Sequence, residues 1–209
     1  MHSTPFDLLL TSCRLPDGRL ADLGCREGRL AAIGPLAGAP AARTIPCGGR
    51  AVTPGLVEAH LHLDKALLSD RTPSREGTLA EAIRLTAEAK RRFTPEDIQR
   101  RARAVLDMAV RAGTTAMRGH VEVDPAVGLM GLEAVLPLKA EYAPALDLQV
   151  CAFAQEGLCN LPGEEELLAQ ALRRGADVVG GCPYTDTDPL GQIAAIFRLA
   201  KEFDVDADF

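Results

Sequence analysis

Two successive patterns of hydrophobic and polar positions divide the chain near residue 54. Before that point, short apolar or alternating runs are separated by turn signals such as Asp17-Gly18 and Glu27-Gly28. Runs of this length between glycine-containing turns are typical of strands joined by hairpins. We therefore predict a small β-unit whose extended segments lie at 6–11, 19–23, 29–33 and 51–53.

From Pro54 onward, strand-like segments alternate with segments of helical periodicity. Gly113 and Gly175 each close a helical segment and lead directly into β-branched or apolar residues, as expected of a helix C-cap before a strand. This alternation predicts an α/β fold with a parallel sheet. The predicted strands are 56–62, 114–123, 146–154 and 176–181, with a fifth opening at 205–209, and the predicted helices are 78–92, 98–112, 132–142, 164–174 and 190–203.

Composition and charge limit the kinds of partner that the protein is expected to bind. The hydrophobic content of 47% is enough for a sizeable core, and the net charge of -6, with only short basic clusters such as 90–92, argues against nucleic acid. No apolar run reaches the roughly 18 residues of a membrane span, and the N-terminus does not resemble a secretory signal. The six cysteines show no C-x-x-C spacing and are expected to be reduced. We therefore expect a soluble cytoplasmic protein without a membrane partner.

Histidine is scarce and is placed in a pattern. The chain has four histidines, and His60 and His62 are two residues apart on the first predicted strand of the α/β region. Side chains at i and i+2 of a strand share a face, so both imidazoles can approach one cation, and neutral imidazole suits Zn²⁺ or Fe²⁺. They also stand where the active site of a parallel α/β fold collects, at the carboxyl end of a strand. A hydrogen-bonded histidine pair without metal is the alternative.

Three segments at predicted strand ends carry a family resemblance. They read P-G-L-V-E-A-H-L-H-L-D-K at 54–65, R-G-H-V-E-V-D at 118–124 and F-A-Q-E-G at 153–157. The first resembles the opening barrel strand of the amidohydrolase superfamily, and together they resemble its branch of cytosine deaminases and related ring amidohydrolases. The resemblance covers nearly the whole chain.

The resemblance implies a fold and a set of site residues. The fold is a (β/α)8 TIM barrel joined to a small β-sandwich, with residues 1–54 as the N-terminal part of the sandwich and residues 55–209 as about the first half of the barrel. His60 and His62 would bind one divalent metal, Fe²⁺ or Zn²⁺, and Gln155 would bind the amide edge of a pyrimidine-like ring. Residues 176–186 contain no lysine that could be carboxylated to bridge two metals, so a mononuclear site is implied.

For several residues near these segments, the sequence supports two interpretations. His120 either lines the pocket or is structural, because Gly119 and Glu122 depart from the family's usual T-H-V-D. Asp64 and Lys65 form either an ion pair at the pocket edge or two solvated charges. Without the family likeness, Gln155 would be interpreted as a turn residue before Gly157.

The activity implied is metal-dependent hydrolytic deamination of a nucleobase-like ring. One alternative is another hydrolase on the same scaffold, which removes alkylamines from triazines or opens a cyclic amide. The other is a non-catalytic module that associates through an open half-barrel face, and a homo-oligomer fits that expectation. The remaining metal ligands and the catalytic residues are expected beyond Phe209. We therefore expect the 209-residue chain to belong to a truncated product or an incomplete record and to be inactive alone.

Overall fold

A four-stranded sheet forms the first of two compact units, which extends to Pro54. The structure is a computed structural model and describes residues 5–209. Strands β1 to β3 form two antiparallel hairpins, and the second hairpin turns at Glu27 and Gly28, which both have positive φ angles as a tight two-residue turn requires. The sheet order is β3-β2-β1-β4, with β1 at Phe6–Arg14, β2 at Leu20–Arg26, β3 at Arg29–Gly34 and β4 at Ala41–Pro46.

The fourth strand differs from the prediction. The segment 51–53 is not a strand, since Ala51 makes only an isolated bridge to Arg14. Strand β4 forms instead at Ala41–Pro46 and pairs in parallel with β1, with Leu8 opposite Arg43. Pairing with β1 extends this strand over its first two residues, alanines of weak β-propensity, as well as over Thr44 and Ile45, which favour strands. The assignment of residues 1–54 to part of a β-sandwich stays a prediction.

The second unit runs from Gly55 to Phe209 and contains five parallel strands in the order of the sequence. Neighbouring strands in the sheet are successive along the chain, as in a (β/α)8 barrel. The predicted α/β class is confirmed, and the predicted elements are displaced by only a few residues at their ends. The strands are β5 Leu56–His62, β6 Thr114–Glu122, β7 Asp147–Ala154, β8 Val178–Gly181 and β9 Asp206–Asp208.

Helices connect these strands and follow local capping signals. Thr94 accepts a hydrogen bond from the backbone of Asp97 at the start of α2, and Gly113 ends that helix with a left-handed φ of 91°. Within residues 5–209, no helix is both long and apolar enough to cross a membrane. The cytoplasmic location stays a prediction. The helices are α1 Leu79–Lys90, α2 Pro95–Ala112, α3 Met130–Tyr142, α4 Glu164–Arg173 and α5 Pro189–Phe203.

Alternate side chains of each strand enter different apolar clusters. Val150 and Ala152 of β7 belong to the large core that also contains the helical residues, whereas Cys151 and Phe153 belong to a separate small cluster. This is the two-residue period of a strand with two covered faces. Leu61 packs against the helical core, so the histidines on either side of it point to the opposite face.

A buried arginine holds the segment that follows β5. Arg101 of α2 is 1% exposed, and its guanidinium donates to the backbone oxygens of Asp64 at 2.8 Å and Ala66 at 2.7 Å. It also donates to the Asp97 carboxylate at 2.9 Å. These bonds satisfy two loop carbonyls that would otherwise lack partners near the end of β5.

A second buried ionisable group lies at the start of α4. Glu164 is fully buried, and neither carboxylate oxygen has a hydrogen-bond partner. Burial, followed by repulsion from Asp124, Glu122 and Glu156, raises its pKa to about 8 against the opposing charge of Lys90. The carboxyl group is therefore mostly protonated at neutral pH.

Replacing Arg101 should destabilise the second unit much more than replacing its neighbour. We expect Arg101→Met to lower the free energy of unfolding by about 2–4 kcal/mol, because two buried carbonyls lose their donors. Arg100→Met is the matched control, since Arg100 also bonds to Asp97 but its side chain is 66% exposed. Its cost should stay within about 0.5 kcal/mol. Urea unfolding measures both, and equal costs would contradict the assignment.

Glu164 should make stability fall as pH rises. A carboxyl group with a raised folded pKa contributes stability below its unfolded pKa and loses it as pH rises through about 8. Glu164→Gln should therefore match the wild type near pH 5 and exceed its stability by ~1–3 kcal/mol near pH 8. Chemical denaturation at both pH values tests this. A difference that is the same at both would show that Glu164 does not titrate as described.

Candidate functional site

Three imidazole rings meet where β5 and β6 end. The parallel register places His62 opposite His120, and His60 lies on the same face of β5 as His62. The Nε2 atoms of His60 and His62 are 3.3 Å apart. The ring of His120 stacks on that of His60 with centroids 3.8 Å apart. The two predicted metal ligands are thus adjacent, with a third histidine against them.

An apolar wall and burial keep two of these rings, those of His62 and His120, uncharged. Phe153 of β7 presents its edge to all three histidines, at centroid separations of 5.1, 5.6 and 6.0 Å. Burial, together with the charge of Lys65 and the neighbouring histidines, lowers the pKa of His62 to about 2. Burial also lowers the pKa of His120, although Asp208 opposes that effect. Both rings therefore carry free nitrogen lone pairs at neutral pH.

The histidine pair fits a divalent cation. Zinc to imidazole distances of about 2.0–2.1 Å and tetrahedral angles place two ligand nitrogens roughly 3.3–3.4 Å apart, and the pair His60–His62 has 3.3 Å. Nδ1 of His62 is buried and has no partner within the described chain. Two imidazole nitrogens that converge on one point are the donor set that Zn²⁺ or Fe²⁺ prefers.

Asp208 adds a carboxylate to the cluster. Its Oδ1 lies 3.2 Å from His120 Nε2 and 4.0 Å from His60 Nδ1, and Arg118 donates to its Oδ2 at 2.7 Å. His60, His120 and Asp208 each offer a ligand atom within 4.8 Å of the others. Burial raises the pKa of Asp208, but the hydrogen bonds from Arg118 and His120 outweigh it and the net shift is downward.

Sequence reasoning did not assign a role to Asp208. The residue lies in the short opening of the fifth predicted strand, where a single carboxylate has no distinguishing spacing. The available signal was positional, because acidic residues at the ends of parallel strands gather at one edge of the sheet. Only the pairing of β9 beside β8 brings this carboxylate toward the histidines.

His120 is a buried member of the cluster. It is 0% exposed, and its hydrogen bond to Asp208 is consistent with the structural interpretation. Gly119 has a packing reason to depart from the usual pattern. A Cβ at that position would lie 2.5 Å from the Cδ1 atom of Leu63, which occupies the space instead.

The Asp64-Lys65 pair follows neither of its two interpretations. Asp64 is buried and accepts a hydrogen bond from the backbone N–H of Glu122 at 2.9 Å, and burial raises its pKa to about 6. Lys65 donates from Nζ to Gln155 Oε1 at 3.1 Å and pairs with the Glu122 carboxylate at 3.5 Å. Each residue therefore has its own partners, and neither is a solvated charge.

Gln155 follows the last residue of β7 and is held in a tight turn. Thr185 donates its hydroxyl to the Gln155 backbone oxygen at 2.9 Å. Gly157 has a φ of 98°, and a Cβ there would lie 2.3 Å from the Asn160 side chain. Gln155 thus stands at the sheet edge that also holds the histidines. Its binding of substrate stays a prediction.

A buried lysine ties the strand ends together, and sequence reasoning missed it. Lys90 was interpreted as part of a basic helical cluster, but it is 5% exposed. Its ammonium donates to Glu122 at 2.9 Å, Asp124 at 2.6 Å and Glu156 at 2.9 Å. Burial lowers the pKa of Lys90, but these carboxylates raise it more, so it remains charged. The end of α1 is thereby fixed to the ends of β6 and β7.

A family model and a curated protein that match this chain are both described as amidohydrolases. A sequence model described as the amidohydrolase family matches residues 43–137. The chain is 35% identical, over 99% of its length, to the N-isopropylammelide isopropyl amidohydrolase of Pseudomonas sp. (strain ADP), of which it covers 53%. The chain thus spans about half the length of that curated relative.

Two solved structures share the fold at comparable identity. The 5-methylcytosine deaminase of Klebsiella pneumoniae, liganded with 5-fluorocytosine, superimposes with a TM-score of 0.87 and 33% identity over 96% of this chain and 50% of that one. The N-isopropylammelide isopropylaminohydrolase of Burkholderia multivorans gives 0.83 and 31% over 96% and 52%. The chain therefore belongs to the amidohydrolase superfamily, which includes cytosine deaminase-like members.

Proposed function

We propose that this chain forms part of an enzyme that hydrolyses the bond between a nitrogen-containing ring and its exocyclic amine. The observation that carries the proposal is the convergence of two imidazole nitrogens, 3.3 Å apart, at the end of β5. This spacing matches two imidazole ligands of one tetrahedral metal ion. The site lies at the carboxyl ends of parallel strands, where barrel enzymes carry their chemistry.

His60 and His62 would hold one divalent cation, Zn²⁺ or Fe²⁺. A bound cation of this kind acts as a Lewis acid and makes water a nucleophile near neutral pH. Asp208 offers a further carboxylate oxygen near His60. We keep the site mononuclear, because the β8 segment 176–186 has no lysine to bridge a second ion.

The other residues would bind and orient the ring. Gln155 carries a primary amide at the same sheet edge, and an amide can hydrogen-bond to the edge of a pyrimidine- or triazine-like ring. Phe153 provides an apolar surface beside the histidines and limits the access of water to them. In the reaction, water supplies oxygen to the ring carbon, the carbon–nitrogen bond breaks, and the amine leaves with a proton.

The substrate class is a small ring that bears an amino or alkylamino group. The relatives include a 5-methylcytosine deaminase at 33% identity and an N-isopropylammelide isopropyl amidohydrolase at 35%. These two sequence identities are too similar to decide whether the leaving group is ammonia or an alkylamine. Deamination of a cytosine-like ring is our first choice, and removal of an alkylamine from a triazine is the alternative on the same site. Both reactions need a positioned ring and an activated water.

Metal affinity should depend on His60 and His62 individually. We expect His60→Asn and His62→Asn each to weaken Zn²⁺ binding by about 100-fold or more, since changes even to residues behind a ligand cost about 10- to 100-fold. Competition with a chelating dye on the 209-residue chain measures this.

Cys159→Ser controls for adventitious binding. Cys159 is an exposed thiol outside the histidine cluster, so its replacement should leave the affinity unchanged. Zinc binding that survives both histidine substitutions would contradict the assignment of the metal pair.

Turnover should require more of the protein than these 209 residues. The matched relatives are about twice as long, and the His60 side chain is 49% exposed, so the site as described is open to water on one side. We expect the protein expressed from its complete reading frame and loaded with Zn²⁺ or Fe²⁺ to release ammonia or alkylamine from a panel of aminopyrimidines and alkylaminotriazines. The 209-residue chain should release neither.

Gln155→Leu in the complete protein should raise KM about tenfold or more, because the ring loses its amide partner. Absence of amine release from every ring by the metal-loaded complete protein would overturn the proposed function.

A further inference from the structure

Lys65 bridges Gln155 and a buried carboxylate. Its Nζ donates to Gln155 Oε1 at 3.1 Å and lies 3.5 Å from Glu122 Oε2. The Lys65 side chain is only 13% exposed, and that of Glu122 only 3%. Lys65 therefore contacts Gln155, the residue that we propose to bind the substrate ring. The function proposed above gives Lys65 no role.

The contact with Lys65 determines the orientation of the Gln155 side-chain amide. An ammonium group has three donors and no acceptor, so the carbonyl end of Gln155 must face Lys65. A flipped amide would place two donors against each other. The Nε2 group is held at the other end of the planar amide, and it has no protein acceptor among residues 5–209. Two N–H donors are therefore free for a ligand.

Both sides of this contact are anchored. Glu122 also accepts from the Lys90 ammonium at 2.9 Å, and its backbone N–H donates to Asp64 at 2.9 Å. On the other side, Thr185 holds the Gln155 backbone oxygen. The carboxylate cannot move away from Lys65 without breaking buried hydrogen bonds, and a shift of the glutamine backbone would break the partly buried bond from Thr185. The orientation of the amide is thus built into the fold.

We propose that Lys65 and Glu122 are positioning residues that aim the Gln155 amide, so that the site prefers a ring edge that accepts a hydrogen bond over one that donates. A ring carbonyl oxygen fits this preference, and an amino group in the same place does not. The inference rests on the proposed function, because it assumes that Gln155 meets the substrate ring.

The test compares two rings that differ at one edge. Cytosine carries a carbonyl where 2,4-diaminopyrimidine carries an amino group, and N-isopropylammelide with its amino counterpart serves if the wild type prefers triazines. The metal-loaded protein from the complete reading frame should favour the carbonyl ring in kcat/KM by about 100-fold or more. Lys65→Met should cut this preference about tenfold or more, mainly by raising KM for the carbonyl ring.

Matched variants separate positioning from loss of structure. Lys65→Arg keeps a donor and should recover most of the preference, whereas Lys201→Met changes an exposed lysine of α5 and should match the wild type. Glu122→Asp shortens the carboxylate that holds Lys65 and should lower the preference in the same direction, which covers the case in which Lys65→Met does not fold. An unchanged preference in the folded Lys65 and Glu122 variants would overturn the inference while leaving the proposed function intact.

A second measurement decides the inference if the wild type hydrolyses no ring, an outcome that would refute the proposed function. This measurement records the ¹H–¹⁵N NMR signal of the Gln155 side-chain amide in the 209-residue chain, with Gln155→Leu used to assign it. Lys65→Met should shift this signal clearly, Lys65→Arg should shift it less, and Lys201→Met should not shift it. A Gln155 signal that does not respond to Lys65→Met would show that the lysine does not orient the amide.

Discussion

The parallel register of β5, β6 and β7 is the constraint on which the rest of the site depends. Because His62 pairs opposite His120, and His120 opposite Cys151, the alternating side chains of three strands point to one face at the same height. A shift of one residue in β5 would turn both predicted metal ligands toward the helices and bring Leu61 to the inner face. The helical core that receives Leu61 therefore selects the register that places the histidines on the inner face of the sheet.

The same geometry concentrates charge at the strand ends and requires compensation. Five acidic residues and two lysines lie near the ends of these strands, and most of them are nearly inaccessible to water. They are Asp64, Glu122, Asp124, Glu156 and Glu164, with Lys65 and Lys90. Lys90 meets three carboxylates, and Lys65 meets one carboxylate and an amide oxygen. Removing one partner from such an arrangement leaves an uncompensated buried charge, which costs more than the pair contributes. Glu164 is the exception, since burial raises its pKa and favours the neutral acid. The charges that remain hold the strand ends in fixed relative positions.

The sequence predicted the features of the structure that depend on local patterns of residues. Strands β5 to β8 follow from apolar runs, of which those of β6 and β8 come after the glycine caps Gly113 and Gly175, and the His60–His62 pair follows from two-residue spacing. Residues whose surroundings depend on tertiary pairing were not predicted. Lys90 resembles a solvated helical lysine in sequence, Glu164 resembles an ordinary acidic first turn, and β4 depends on its parallel pairing with β1. Asp208 required the register of β9 beside β8 before its carboxylate could be placed near the histidines.

The central claim is that the end of β5 presents a pair of histidine ligands to one divalent cation. X-ray absorption at the zinc edge of the Zn²⁺-loaded protein counts the atoms bound to the metal and identifies imidazole by its multiple scattering. The account predicts at least two imidazole nitrogens at about 2.0–2.1 Å from a single zinc, with no second metal nearby. A spectrum with only oxygen or sulfur neighbours, or with a metal–metal distance, would contradict it.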